Sequence, residues 1–207
     1  MLKRLSIAFL SGALALGMAH AQEKATEKKV EKPMKNPIVE VKTNYGDIYL
    51  EVFEKETPIH AKNFLEKVAA GKYDSLTFHR IVAGFVIQGG DPTGTGMGSM
   101  GDERLADEKS PYPEVRGTVA MARSSAGASN CQFYINLKDN TQLDSLGFSA
   151  FAKVVQGMDV VDKIAVVPIG DNDKPLQPVV IMKLIKVEKV PVTATKATPS
   201  KEATGQK

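Results

Sequence analysis

The sequence has few of the residues from which disulfide frameworks and metal centres are built. Its 207 residues include one cysteine and three histidines. One cysteine excludes a disulfide framework and a zinc–cysteine cluster, and three histidines argue against a site in which several histidines share one metal ion. We therefore expect no metal site in this protein.

A basic surface of the kind that binds nucleic acid is also missing from the central part of the chain. Residues 37–187 contain 16 basic and 19 acidic residues, a net charge of −3, although the whole chain carries +3. The positive excess lies in the two terminal segments. Because a nucleic-acid-binding domain is expected to carry a basic stripe, we expect no nucleic acid partner.

One apolar stretch, at residues 5–18, is too short for a membrane-spanning helix, which needs about 20 residues. Lys3 and Arg4 precede it, and Ala19-His20-Ala21 follows it with the small-x-small pattern of a cleavage site. These features predict a signal peptide at residues 1–21, export to a bacterial periplasm and a mature protein outside the membrane. An uncleaved anchor is the alternative.

The two ends of the mature chain lack the large apolar residues that a folded core requires. Residues 22–36 are rich in Lys and Glu, and residues 188–207 consist mainly of Thr, Ala, Lys and Pro. Neither segment buries enough surface to offset the entropy of ordering, so we expect both to be disordered. Residues 37–187 then form one folded domain of ordinary size.

Within this domain, short apolar segments with a period of two predict strands, and Gly and Pro separate them. These segments are 38–43, 48–53, 76–82, 85–88, 117–122, 131–137, 148–155 and 179–187. Thr57 as N-cap, Pro58 and Gly71 delimit one predicted helix, and residues 158–165 form a second. The pattern favours a mainly β fold, a closed eight-stranded antiparallel β-barrel capped by two α-helices, over a βαβ sheet.

Three stretches place polar side chains beside apolar ones. In residues 78–91 (FHRIVAGFVIQGGD), alternation puts Arg80 on one strand face with Phe78 and Val82. Residues 117–124 (GTVAMARS) predict a strand that runs into a loop of small residues. In residues 132–136 (QFYIN), the first and third side chains share a face.

FHRIVAGFVIQGGD, GTVAMA and QFYI, in this order, resemble motifs of the cyclophilin family of peptidyl-prolyl cis-trans isomerases. The similarity extends from about Val39 to Val187 and includes TNYGDI and FAKVVQGMDVVDKI. The resemblance implies an enzyme that accelerates rotation about X–Pro bonds in exported proteins as they fold. It implies proline-containing polypeptides as partners and no cofactor, and a monomer is the default expectation.

The resemblance also implies a set of site residues. By position, Arg80 matches the family's catalytic arginine, Gln88 the residue that orients it, and Phe85 a wall of the proline pocket. The implied substrate-binding residues are Val86, Ala122, Arg123, Ser124, Gln132, Tyr134, Leu143 and Phe148. Among these, Ala122 to Ser124 would pair through their backbone with an extended peptide.

Isomerisation needs little covalent chemistry. Rotation removes the amide resonance, with a barrier of about 18–20 kcal/mol, and breaks no bond to carbon. A nucleophile, a metal or a cofactor is therefore not required. As the prolyl nitrogen becomes pyramidal, it gains a lone pair that a fixed cation can hydrogen-bond, and this interaction exists only in the twisted state.

Some positions depart from the family pattern. Gln142 stands where many cyclophilins have a tryptophan that is associated with tight cyclosporin binding, so we expect weak inhibition by that drug. Val86 replaces a methionine and Tyr134 a phenylalanine.

A non-catalytic proline-peptide-binding module or chaperone is the alternative function. The glycine run at 89–101 lacks the Lys-Ser/Thr pair of a phosphate-binding loop and fits a pocket rim.

Overall fold

The computed structural model describes residues 36–191. In this range the strands are β1 (Ile38–Thr43), β2 (Gly46–Val52), β3 (Leu76–Val82), β4 (Val86–Gly89), β5 (Thr118–Ser124), β6 (Gly127–Asn136), β7 (Ala150–Gln156) and β8 (Val180–Val187). The α-helices are α1 (Pro58–Ala69) and α2 (Met158–Ala165), and short 3₁₀ segments span Thr141–Leu146 and Asp171–Asp173. The expected signal peptide, the linker up to residue 35 and the tail beyond residue 191 lie outside the described residues.

The eight strands close into a barrel in the order β1-β2-β7-β5-β6-β4-β3-β8. Every neighbouring pair is antiparallel. The prediction of a closed eight-stranded antiparallel barrel with two α-helices is therefore confirmed. Neither helix in residues 36–191 has the length and apolar character needed to cross a membrane.

Two hairpins are tighter than the sequence pattern predicted. Thr43 pairs with Gly46, so β2 begins two residues before the predicted strand. Ser124 pairs with Gly127, so β5 and β6 continue through a segment predicted as a loop. Both glycines have positive φ, +128° and +111°, which lets the chain reverse within two residues. Apolar alternation fades in these small polar segments, so it underestimated the strand lengths.

The main core fills the barrel and continues into both helices. Ile48, Leu50, Phe133 and Ile135 from the strands are fully buried. The ring of Phe133 makes edge-on contacts with neighbouring aromatic rings at centroid distances of 5.6–6.0 Å; these rings belong to Phe64, Tyr73 and Phe78. Helix α1 also contributes Ala61 and Val68, and α2 contributes Val160, Val161 and Ile164.

The first turn of α1 is capped by a distant side chain. Thr57 is at the N-cap position, as predicted, but its hydroxyl donates to the Phe53 carbonyl oxygen instead of capping the helix. The Glu108 carboxylate accepts hydrogen bonds from the backbone N–H groups of Ile59 at 2.7 Å and His60 at 3.0 Å. A negative charge at this end of a helix is stabilising, so Glu108 ties the segment before β5 to helix α1.

Candidate active site

A second, smaller apolar cluster lies on the outer face of the barrel. Strand alternation sends Ile87 and Phe133 into the main core and leaves Val86 and Tyr134 on the opposite face. There the outward residues pack with Ala120 and Leu143, and the rings of Phe85 and Phe148 lie at the edge. The cluster forms the floor of a cavity of about 150 Å³.

Arg80 reaches this outer face because β3 contains an irregularity. The β3–β4 register shifts between Phe78 and Arg80. Phe78 is fully buried in the main core, whereas the Arg80 side chain is 39% exposed and lines the cavity. The prediction that these two residues share a strand face is therefore wrong. The shift allows the large ring to be buried while the cation stays near water.

A chain of side-chain amides leads away from Arg80. Arg80 Nη1 donates to Gln88 Oε1 at 3.4 Å, and Gln88 Nε2 donates to Gln132 Oε1 at 2.9 Å. Gln132 Nε2 in turn donates to the carbonyl oxygens of Gly96 and Gly98, at 3.0 and 2.9 Å. The orientation of the guanidinium is thus connected to the glycine-rich loop.

Asp91 holds the same loop from the other side. Its Oδ1 accepts from the backbone and the hydroxyl of Thr93, and its Oδ2 accepts from the backbone N–H groups of Gly96 and Gly98. Burial alone would raise the pKa of Asp91, but these hydrogen bonds outweigh it and lower the pKa below its usual value. Sequence reasoning missed this role, although an aspartate before a Thr-Gly turn is a typical turn-forming signal.

The far end of β5 is only partly covered by neighbouring strands. Strand β7 pairs with β5 from Thr118 to Ala120 and no further. The residues that follow, Ala122 to Ser124, pair with β6 on their other side through Arg123 and Ser124. The Arg123 guanidinium forms a two-pronged ion pair with Asp107 and lines the cavity. This strand edge therefore lies beside the apolar pocket.

A buried polar group lies behind the pocket wall. Glu114 is fully buried, and burial raises its pKa to about 7 in spite of a hydrogen bond from Asn136. Burial and the nearby Glu114 carboxyl raise the pKa of Tyr134 as well. The Tyr134 ring itself packs edge-on against Phe148, with the centroids 5.9 Å apart. Sequence patterning gave no signal for Glu114.

Nine of the eleven predicted site residues line this cavity: Arg80, Phe85, Val86, Gln88, Ala122, Arg123, Tyr134, Leu143 and Phe148. Gln132 joins them through its contact with Gln88. Ser124 is exposed at the end of the hairpin and does not line the cavity. Their roles in catalysis and binding stay predictions. In the described part of the chain, no group of three or more His, Cys, Asp or Glu is arranged to hold a metal ion.

The structure thus has an arginine at the rim of an apolar pocket, on the outside of a closed eight-stranded barrel. Residues 38–186 match the family described as cyclophilin type peptidyl-prolyl cis-trans isomerase/CLD. A peptidyl-prolyl cis-trans isomerase of Acinetobacter baylyi is 37% identical over 89% of this chain and 95% of its own. One from Arabidopsis thaliana is 40% identical over 67% of this chain and 88% of its own.

The comparison with solved structures indicates the same family. A cyclophilin type isomerase of Cryptosporidium parvum, crystallised in the presence of the dipeptide Ala-Pro, is 32% identical and superposes with a TM-score of 0.67. The match covers 73% of this chain and 99% of that one. The chain therefore belongs to the cyclophilin family. It is a peptidyl-prolyl cis-trans isomerase, an enzyme and not only a peptide-binding module.

Proposed function

We propose that this isomerase twists X–Pro bonds of polypeptides by placing the proline ring in the apolar cavity and donating a hydrogen bond from Arg80 to the prolyl nitrogen. The observation that supports this role is the position of the guanidinium at the rim of a cavity with an apolar floor. In this proposal the apolar floor contacts the proline ring, and the Arg80 guanidinium lies next to the nitrogen on which the lone pair of the twisted amide develops.

The proposed mechanism depends on differential binding. In the planar amide the nitrogen lone pair is delocalised and accepts poorly, so Arg80 gains its hydrogen bond only as resonance is lost. The apolar floor excludes water from the ring, and the contact with Gln88 limits the reorientation of the guanidinium. The edge of β5 at Ala122 to Ser124 offers backbone groups to an extended substrate.

The test follows cis-to-trans relaxation of an X–Pro tetrapeptide with the purified full chain. We expect Arg80→Ala to lower kcat/KM by about a hundredfold or more, as removal of a transition-state hydrogen bond does in other enzymes. Arg116→Ala is the control, because Arg116 forms a similarly exposed ion pair with Asp162 outside the cavity. Wild-type turnover in Arg80→Ala would disprove the proposed role of Arg80.

We also propose that the protein is exported to the periplasm and assists the folding of exported proteins there as a monomer. Lys3, Arg4, the apolar stretch 5–18 and the Ala19-His20-Ala21 site support this location. Cell fractionation followed by N-terminal sequencing is expected to find a periplasmic protein that begins at Gln22. A cytoplasmic protein that still begins at Met1 would contradict the proposal.

A further inference from the structure

The structure assigns Asp173 as a positioning residue for Arg80, a role that rests on the proposed function of Arg80. Asp173 Oδ2 lies 3.3 Å from Arg80 Nε, and the two side chains are 40% and 39% exposed. The hydrogen bond from Arg80 Nη1 to Gln88 is long, at 3.4 Å. A charged partner on the Nε side therefore adds a restraint that the neutral amide alone supplies only weakly.

The turn that carries Asp173 is closed by backbone contacts. Ile169 and Pro175 form a bridge, Gly170 N–H donates to the Lys174 carbonyl oxygen at 2.8 Å, and Leu176 N–H donates to the Pro168 carbonyl oxygen at 2.9 Å. These contacts hold the base of the turn together. Its tip therefore presents the Asp173 carboxylate to β3 in a defined place.

The tip has a conformation that few residues adopt. Asn172 and Asp173 both lie in the left-handed region, with φ of +58° and +59°. Asn and Asp are the side chains that tolerate this region best after glycine. Consecutive non-glycine residues with positive φ are costly, and such strain is concentrated at functional sites. At this turn the strained backbone aims a carboxylate at the proposed catalytic cation.

The two partners occupy different parts of the guanidinium. Asp173 approaches Nε and Gln88 accepts from Nη1, while Nη2 has no hydrogen-bond partner among residues 36–191. Both N–H groups of Nη2 are thus left for the prolyl nitrogen. A free arginine side chain loses rotamer entropy when it binds, so an arginine held before the substrate arrives has less to lose in the twisted state.

Asp173→Asn tests this role, because asparagine keeps the size and the tolerance for positive φ but removes the charge. We expect kcat to fall about three- to fivefold, the scale of an exposed ion pair, with KM and Tm close to the wild-type values. The difference is expected to shrink in 1 M salt, where exposed charges are screened. NMR relaxation of the Arg80 Nε–H group is expected to show greater mobility in the variant.

Asp171→Asn is the matched control, because Asp171 lies in the same turn and forms no ion pair with Arg80 within the described residues. It is expected to keep wild-type kcat. In an Arg80→Ala background, assayed at high enzyme concentration, Asp173→Asn is expected to change nothing further.

Three results would overturn the assignment: wild-type kcat in Asp173→Asn, an equal loss in both aspartate variants, or a loss that persists without Arg80. The two proposals are distinguishable by Arg80→Ala. If that variant loses turnover while Asp173→Asn keeps it, only the role of Asp173 fails. If Arg80→Ala is fully active, the proposed function of Arg80 fails first, and the role of Asp173 fails with it.

Discussion

The backbone N–H of Gly98 donates a hydrogen bond of 3.1 Å to Asp91 Oδ2, and no side chain fits between the two residues. A Cβ atom on Gly98 would overlap the Asp91 carboxylate. The φ of Gly98 is not positive, so the requirement for glycine comes from this close approach and not from the backbone conformation. The glycine-rich loop is therefore a fixed, hydrogen-bonded structure.

Gly98→Ala is expected to displace the carboxylate of Asp91 and to lower both stability and kcat. The loss of hydrogen bonds to a buried charge costs about 2–3 kcal/mol in the free energy of unfolding. Gly84→Ala is the control: Gly84 has a φ of +68° with nothing within 4 Å, so only backbone strain of about 1–2 kcal/mol is expected. Urea unfolding measures the stability of both variants, and the tetrapeptide assay measures their kcat. Equal stability losses with full activity in both variants would contradict the proposed effect of the Gly98–Asp91 contact.

Gln132→Glu separates the two contacts of the Gln132 side chain. Glutamate keeps an acceptor for Gln88 but has no N–H to donate to the carbonyl oxygens of Gly96 and Gly98. We expect a loss of about 1–3 kcal/mol in stability and a lower kcat, because the loop and the amide chain to Arg80 are no longer connected. Amide hydrogen exchange in the loop is expected to accelerate. Unchanged exchange would show that the contacts of Gln132 are not needed to hold the loop.

The pH dependence of stability is expected to depend on Glu114. Burial raises its folded-state pKa to about 7, above the ordinary value of 4.5, so the folded protein holds an extra proton between these two values. The contribution of Glu114 to the free energy of unfolding is then greatest below pH 4.5. It falls as the pH rises towards 7 and stays constant at higher pH. The total loss is about 3 kcal/mol.

Glu114→Gln is expected to remove this component and to make the protein more stable than the wild type at pH 8, since glutamine keeps an acceptor for Asn136. The exposed Glu66 provides the matched control, and Glu66→Gln is expected to follow the wild-type curve. Chemical unfolding at a series of pH values measures the effect. The same slope in Glu114→Gln as in the wild type would rule out Glu114 as its source.

Cyclosporin inhibition is expected to be weak and to improve in Gln142→Trp. Gln142 is exposed directly beside Leu143, a residue of the pocket wall, so a tryptophan there gains contact area at the edge of the cavity. We expect inhibition to tighten about tenfold or more, the contribution of a well-placed aromatic residue at an interface. Thr141→Trp is the control, because Thr141 is likewise exposed in the same 3₁₀ segment but is not the direct neighbour of Leu143. Equal gains in both variants would indicate nonspecific hydrophobic binding.

Strand periodicity predicted the barrel and which side chains share a strand face, whereas the set of pocket residues came from the resemblance to the cyclophilin family. The outward positions of Val86, Gln88 and Tyr134 follow from alternation along strands that are regular in this region. The placement of Phe78 and Arg80 on different faces was not predicted, because the register shift in β3 depends on how β3 pairs with β4. Periodicity within one strand carries no information about such a register change.

Apart from the local contacts of Asp91, the contacts that sequence reasoning missed join distant segments. Asp173 is 93 positions from Arg80, and Glu108 reaches the start of α1 from 48 and 49 positions away. Each is an ordinary acidic residue in an irregular segment, where neither propensity nor alternation distinguishes it from a solvated side chain. Only the folded chain shows which acid meets which partner.

Because the barrel is closed, few of its strand edges are free to pair with other polypeptide chains. Each of its eight strands has a hydrogen-bonded neighbour on both sides over at least part of its length. Unpaired strand edges are the places at which proteins join one another into aggregates. A protein that acts on incompletely folded chains, as proposed above for this isomerase, meets this hazard at every encounter. Apart from the short edge of β5 at Ala122 to Ser124, the barrel offers other chains little template for intermolecular sheet growth.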